Sequence, residues 1–175
     1  MPELSNSATI RWDLEGVELR GALRPAVGVY TRDEDLTLAQ ANEWETIPLL
    51  TTQESPGAVF ERENGNVSVN INGFVYVSVK MRFSWTGGGN TAVAARIRAT
   101  VNGVPVSWLF DAGSRERGDN ETTTLDFSHP VELHEGDVVR LQARVSNTGL
   151  IIAACPDEAA VCAARLSLHV ISEAP

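Results

Sequence analysis

The clearest pattern in this chain is a strict alternation of apolar and polar residues between positions 73 and 85. Successive side chains of a β-strand point to opposite faces, so the alternation predicts a long strand that buries one face. The apolar positions are Val75, Val77, Val79, Met81, Phe83 and Trp85. The residues between them, beginning with Tyr76, are expected on the opposite face.

Shorter strand signals fill most of the remaining sequence. Residues 93–101 alternate in the same way and lead into Asn102-Gly103, a dipeptide favoured in tight hairpin turns. The polar, charged segment 111–121 is predicted to be a surface loop. Roughly eight to ten short strands, with no helical period, predict an all-β sandwich or jelly roll. The other predicted strands are residues 44–49, 67–71, 104–110, 122–133, 138–146 and 163–172.

A tight polar turn is predicted at His134-Glu135-Gly136-Asp137, where one strand ends at Leu133 and the next begins. Gly136 is the residue at which a positive φ is expected, because glycine adopts it without steric cost. Turn geometry explains Asp137 better than calcium binding does, since no calcium-loop spacing surrounds it.

Residues 1–25 differ from the rest of the chain, and Pro25 separates them from the predicted sandwich. Soluble proteins avoid exposed apolar stripes, so we expect these residues to add an edge strand or to dock on another protein. Their apolar residues include Ile10, Trp12, Leu14, Val17 and Leu19. The sequence therefore divides into an N-terminal arm, residues 1–25, and one domain, residues 26–175.

Charge and targeting signals exclude several classes of partner. The formal net charge of −9 argues against nucleic-acid binding, which depends on neutralising phosphates with Lys and Arg. The first residues have neither the cationic start nor the apolar core of a signal peptide, and no apolar run has transmembrane length. We therefore expect a protein that is made in a cytoplasm and does not contact membranes.

Catalytic signals are absent from the sequence. The three histidines, His129, His134 and His169, are scattered and fall in no hydrolase, metalloprotease or nucleotide-binding motif. The glycines at 87–89 are not followed by a predicted helix, so they form a turn rather than a phosphate site. The sequence therefore predicts no enzyme, no cofactor and no metal site.

The two cysteines, Cys155 and Cys162, leave two alternatives open. Their spacing allows one disulfide that would close a short loop, whereas cytoplasmic synthesis favours free thiols. Two cysteines are too few for a structural metal site, and the histidines are too scattered to complete one.

Several segments together resemble the C1q/TNF-like jelly-roll family, in its bacterial and phage form. The match spans roughly residues 27–172, and its most specific motif is Leu133 with Gly136 and Asp137. Two departures stand out: Val75 replaces the usual tyrosine, and the last strand has leucines and valine where the family has a Phe-Gly-Phe-like ending. The other matching segments are Val27-Gly28-Val29-Tyr30, Trp44-Glu45-Thr46-Ile47-Pro48-Leu49, the strand that begins at Gly73, and Ile97 to Gly103.

The resemblance implies a β-sandwich that forms a homotrimer and acts by binding. In that family one outer sheet face packs at the threefold axis, which makes Tyr76, His169 and Ile171 candidate interface residues. The alternative is that this face is solvated or covered by a loop.

The resemblance also places four arginines on one outer patch, because it makes their two strands neighbours. One interpretation is local pairing with surface acids, which contributes little. The other is an anionic partner, which could be a capsid surface, a polysaccharide or a sulfated surface glycan. The four residues are Arg96, Arg98, Arg140 and Arg144.

Phage-type motifs, a short arm and no signal peptide together suggest a virion protein. We expect a non-enzymatic capsid decoration (cement) or head-fibre protein on the capsid surface, anchored to the major capsid protein by its arm. The alternatives are the receptor- or glycan-binding tip of a phage tail fibre and a soluble bacterial carbohydrate-binding module. A tail-fibre tip usually follows a long repetitive shaft, and a carbohydrate module more often exposes aromatic residues.

Overall fold

The computed structural model describes residues 26–54, 59–87, 93–106, 112–116, 122–154 and 163–173, and in these residues the regular elements are all β-strands. In chain order the strands are β1 (Val27–Arg32), β2 (Glu45–Thr46), β3 (Thr51–Glu54), β4 (Phe60–Glu63), β5 (Asn66–Val69), β6 (Gly73–Trp85), β7 (Val93–Val101), β8 (Val104–Pro105), β9 (Ala112–Glu116), β10 (Thr122–Leu133), β11 (Val138–Val145), β12 (Leu150–Ile152) and β13 (Ala164–Glu173).

The strands form two antiparallel sheets, which we name after their central strands. The β6 sheet has the order β10-β6-β13-β1-β3, with β12 also paired to β6. The β11 sheet has the order β4-β5-β11-β7-β8, with β2 paired to β11 and β9 paired to β7. Neighbours that are distant in sequence, such as β6 and β13, are typical of a jelly roll rather than of a simple meander.

The core lies between the two sheets and is built from the alternating apolar positions. All six apolar residues of the predicted alternation in β6 are buried, as are the alternate residues of β7 and β11. Burying each large apolar side chain stabilises the fold by about 1.5–3 kcal/mol. The largest fully buried side chains include Tyr30 of β1, Phe60 of β4 and Phe83 of β6. The alternation therefore decides which residues face outward on both sheets.

Tight turns join the strands where the chain supplies residues that tolerate positive φ. Asn102 and Gly103, with φ of 52° and 82°, form the predicted turn between β7 and β8. The β4–β5 turn is also an Asn-Gly turn, in which Asn64 and Gly65 have φ of 49° and 78°. This second Asn-Gly turn is not among those predicted from the sequence. Gly136 has the positive φ expected of it, 90°.

Asp137 joins two of these turns through side-chain hydrogen bonds. Its Oδ1 accepts from Asn102 Nδ2 at 2.7 Å, and its Oδ2 accepts from the backbone N–H of His134 at 2.8 Å. Asn102 Oδ1 in turn accepts from the N–H of Val138 at 2.9 Å. Both carboxylate oxygens of Asp137 therefore take part in the turns, which supports the structural interpretation of this residue.

Several predicted strand boundaries are wrong, most of all in segment 111–121. Residues Ala112–Glu116 form β9, which pairs with β7 along Ile97 to Val93, so this part is not a loop. The sequence of β9 carries little strand propensity, and pairing with the open edge of β7 overrides it. The strand predicted at 44–49 shortens to β2, the one predicted at 67–71 becomes β5, and β3, β4 and β12 were not predicted.

Replacing Gly136 with alanine is expected to lower the free energy of unfolding by about 1–2 kcal/mol, because an L-side chain is strained at a φ of 90°. A Cβ at this position would meet no atom within 4 Å, so the loss would come from backbone strain rather than from a clash. Urea denaturation measures it.

Gly136→Asn is the matched control, because asparagine adopts positive φ more readily than alanine does. It should lose clearly less stability than Gly136→Ala. Equal losses for the two variants would show that the turn can shift its backbone and that φ at this position does not matter.

Candidate interaction surfaces

The outer face of the β6 sheet carries an apolar cluster at the end of the sheet where β6 begins. Phe74, Tyr76 and Ile171 are 48%, 40% and 47% exposed, although their strands are central in the sheet. Tyr76 lies between Pro130 of β10 and His169 of β13 in the register of the strands. These three apolar side chains are three of the five large apolar residues that are exposed among the described residues.

Next to the apolar cluster, three serines form a row across three strands. Ser78 of β6 lies opposite Ser128 of β10 on one side and Ser167 of β13 on the other. The hydroxyls of Ser78 and Ser128 are 2.7 Å apart and share a hydrogen bond. Because these side chains are small, the surface here is a shallow depression of about 230 Å³.

A charged row borders the serines on the side away from the apolar cluster. Lys80, the only lysine of the chain, lies opposite Asp126 of β10 and Arg165 of β13. Arg165 Nε donates to Ser167 Oγ at 3.1 Å, which ties this row to the serine row. The face thus passes from apolar to small polar to charged along the strands.

The structure places the candidate interface residues Tyr76, His169 and Ile171 together, all exposed at the apolar end of this face. Their role in an interface stays a prediction. A register shift between Val170 and Ser172 interrupts the pairing with β6 beside Ile171. Phe74 was missed as a candidate, although it stands two residues before Tyr76 on the same face of the same strand and the alternation alone could have found it.

The second candidate surface is the outer face of the β11 sheet, where the four predicted arginines meet. β7 and β11 are hydrogen-bonded neighbours, so Arg96 lies directly opposite Arg144, and Arg98 lies opposite Gln142. Arg140 is opposite Thr100, one step further along the sheet. The alternate residues Ile97, Leu141 and Ala143 are buried in the core, so all four arginines lie on the outer face.

Trp44 is the unexpected member of this surface. The guanidinium of Arg98 lies 4.0 Å from the centre of the indole ring, and that of Arg144 lies 5.5 Å from it. Arg98 Nε also donates to Gln142 Oε1 at 2.8 Å. The sequence places Trp44 in the predicted strand 44–49 and in a family-like motif, but does not connect it with the arginines. The pairing of β2 with β11 beside Thr46 brings it onto the arginines, and that long-range pairing cannot be read from local sequence.

Other predicted features lie outside the described residues or show no site within them. The arm residues Ile10, Trp12, Leu14, Val17 and Leu19, and also Cys155 and Cys162, belong to segments outside the described residues. Within the described ranges, no group of His, Cys, Asp and Glu could hold a metal ion. The same ranges contain no helix long and apolar enough to cross a membrane.

The sequence matches no known protein-family profile and no curated protein sequence. Its fold is similar to several solved structures. Murine APRIL at pH 5.0 has a TM-score of 0.58 and 13% identity, covering 85% of this chain and 100% of that chain. The globular domain of zebrafish complement 1qA has a TM-score of 0.55 and 14% identity, and the match covers 85% of this chain and 99% of that chain. Murine APRIL at pH 8.0 has a TM-score of 0.57 and 13% identity, and the match covers 85% of this chain and 100% of that chain.

These similarities, to a TNF-family protein and to a C1q globular domain, define the fold of this chain as a C1q/TNF-like jelly roll. The fold class predicted from the sequence is therefore confirmed. At identities of 13–14% the similarity extends to the fold alone. The phage or bacterial type of the family stays a prediction.

Replacing Trp44 with leucine should lower the free energy of unfolding by about 1 kcal/mol, because two guanidiniums lose the ring they contact. Denaturation at low salt measures the loss. The loss should shrink in high salt, because salt weakens the electrostatic attraction between the ring and the two guanidiniums.

Trp44→Phe is the control for this change, since it keeps an aromatic face and should retain part of the lost stability. If Trp44→Leu and Trp44→Phe are equally stable, contact with the guanidiniums does not stabilise the fold.

Proposed function

We propose that this protein is a non-catalytic assembly module whose copies associate through the outer face of the β6 sheet into a homotrimer. The observation that carries the proposal is the exposed apolar cluster of Phe74, Tyr76 and Ile171 on the outer face of that sheet. Water-exposed apolar clusters of this kind mark interaction sites in soluble proteins. Three copies are proposed because the fold resembles a family that is usually trimeric.

The rest of the face suits close contact between copies. The serine row of Ser78, Ser128 and Ser167 presents small side chains, so a second copy can approach the sheet closely. The charged row with Lys80, Asp126 and Arg165 supplies a polar border, as protein interfaces commonly have around an apolar centre. We infer that the apolar cluster provides the binding energy and that the charged row fixes the orientation.

We further propose that the trimer is a capsid decoration or head-fibre protein on the surface of a virion, made in the host cytoplasm. The support for this comes from the sequence. The arm, residues 1–25, carries Ile10, Trp12 and Leu14 at alternate positions, an apolar stripe that needs a partner. The partner would be the major capsid protein.

Trimerisation and anchoring would reinforce one another in this mechanism. Each arm alone would bind a coat subunit weakly. Once one arm is bound, the other two are held at high effective concentration near their sites, so three weak contacts act as one strong attachment.

The full-length protein is expected to behave as a trimer, with three times the 18.9 kDa mass of one chain, in light scattering coupled to size exclusion. Tyr76→Arg and Ile171→Arg should each shift it to monomers, because a charge replaces an apolar side chain at the centre of the proposed contact. Val104→Arg is the matched control: Val104 is 67% exposed but lies on β8 of the other sheet, so this variant should stay trimeric.

A wild-type monomer at micromolar concentration would contradict this proposal. Dissociation of the Val104→Arg variant to the same extent would place the contact elsewhere.

Removing the arm, by starting the chain at Ala26, should leave folding and trimerisation intact and abolish attachment to capsids. Trp12→Ala in the full chain should weaken attachment, whereas Arg11→Ala, from the adjacent position on the opposite face of the stripe, should not. Co-sedimentation with capsids that lack decoration measures attachment. A truncated protein that sediments with capsids as well as the full chain does would exclude the arm as the anchor.

A further inference from the structure

The dipeptide Asn-Gly occurs three times in the chain, at residues 64–65, 72–73 and 102–103. An asparagine that precedes a glycine is prone to deamidation, because a glycine has no Cβ to shield its backbone nitrogen from the preceding side-chain amide. All three asparagines are exposed, so contact with water does not distinguish them. They differ in the hydrogen bonds of their side-chain amides.

Two of the three amides are held by hydrogen bonds around the turn between β10 and β11. Asn102 donates from Nδ2 to Asp137 Oδ1 at 2.7 Å, and its Oδ1 accepts from the N–H of Val138 at 2.9 Å. Asn72 Oδ1 accepts from the N–H of Glu135 at 3.0 Å. Turning either amide towards the nitrogen of the following glycine would break these bonds, which slows an attack by that nitrogen.

The side-chain amide of Asn64 is free to turn. Within the described part of the chain, neither its Oδ1 nor its Nδ2 has a hydrogen-bond partner. The backbone carbonyl oxygen of Asn64, by contrast, accepts from Asn66 Nδ2 at 3.3 Å. That oxygen carries part of the negative charge when the Gly65 N–H loses its proton, so the hydrogen bond favours the reactive form of the peptide group.

The β4–β5 turn requires both residues of this pair. Gly65 has a φ of 78°, and a Cβ at this position would lie 2.9 Å from Pro48 Cβ and 3.1 Å from Pro48 Cα. Any other residue would therefore be strained by the backbone and would clash with the proline. Asn64 has a φ of 49°, a conformation that asparagine tolerates better than most residues do. The turn thus retains the sequence that makes it chemically labile.

We propose that Asn64 is a site of spontaneous modification, at which the folded protein deamidates and forms isoaspartate. The Gly65 nitrogen loses its proton and bonds to Asn64 Cγ, while the Cγ–Nδ2 bond breaks and Nδ2 leaves as ammonia. Water then opens the cyclic imide at either of its carbonyls, which gives aspartate or isoaspartate. No oxidant, reductant or enzyme is needed. The site lies on the edge hairpin of the β11 sheet and does not depend on the proposed self-association.

Either product changes the edge of the β11 sheet. The new carboxylate adds a negative charge next to Glu63, on a hairpin that also carries Glu61. Isoaspartate also adds a methylene to the main chain, so the turn no longer fits the register in which Glu63 pairs with Asn66. Because β4 is the terminal strand of its sheet, we expect this product to loosen β4 before the rest of the sandwich.

The test follows the folded full-length protein over time in mildly alkaline buffer, by peptide mapping with mass spectrometry. The peptide that contains Asn64 should shift to the mass of its acid form, in two products that chromatography separates as aspartate and isoaspartate. Conversion at Asn72 and Asn102 should be slower by about tenfold or more, because their hydrogen bonds must break first. Mildly acidic buffer should slow conversion at Asn64, because the attacking nitrogen must lose its proton.

The same protein in denaturant is the matched control, because unfolding breaks the hydrogen bonds that hold Asn72 and Asn102. The three asparagines should then convert at similar rates. Asn64→Gly keeps a residue that adopts positive φ and removes the reacting amide, so it should remove most of the acidic form that accumulates in the folded protein. The proposal is overturned if Asn64 converts no faster than Asn102 in the folded protein, or if Asn64 is ahead by the same factor in denaturant.

Discussion

The surfaces of this protein depend on the alternate burial of side chains along β6. This strand is hydrogen-bonded to β10 on one edge and to β13 on the other for most of its 13 residues. Because its odd-numbered residues fill the core, Phe74, Tyr76, Ser78 and Lys80 must lie on the outer face. A shift of one residue would bury Lys80 and expose the valines, so the core fixes the composition of the outer face.

The two outer faces of the sandwich are chemically different. On the outer face of the β6 sheet, the apolar cluster is followed along the strands by the serine row and then by the charged row. These three zones suit contact with a surface of the same composition, such as another copy of the chain. The outer face of the β11 sheet instead carries Arg96, Arg98, Arg140 and Arg144 on two adjacent strands, although the net charge of the chain is −9. The fold therefore places an exposed apolar cluster and a group of arginines on opposite sheets.

The sequence alone predicts structural features that depend on a local pattern of residues. It does not predict features that depend on which distant strands pair with each other. Alternation predicted β6, β7 and β11 and the outward position of Tyr76, and turn chemistry predicted the positive φ of Gly136. The strand β9 and the contact of Trp44 with Arg98 depend on which edges meet in three dimensions, and no local pattern encodes that. The four arginines were predicted to share a face only because the resemblance to a known fold supplied the strand order.

The hydrogen bonds between Asp137 and Asn102 also limit how this protein can change during evolution. They connect the β7–β8 turn to the β10–β11 turn, two segments 35 residues apart in sequence. A longer loop in either turn would pull one partner away and leave the other polar group unsatisfied. Asn102 and Asp137 are therefore expected to be retained or replaced together in related chains, and insertions are expected at the opposite end of the sandwich.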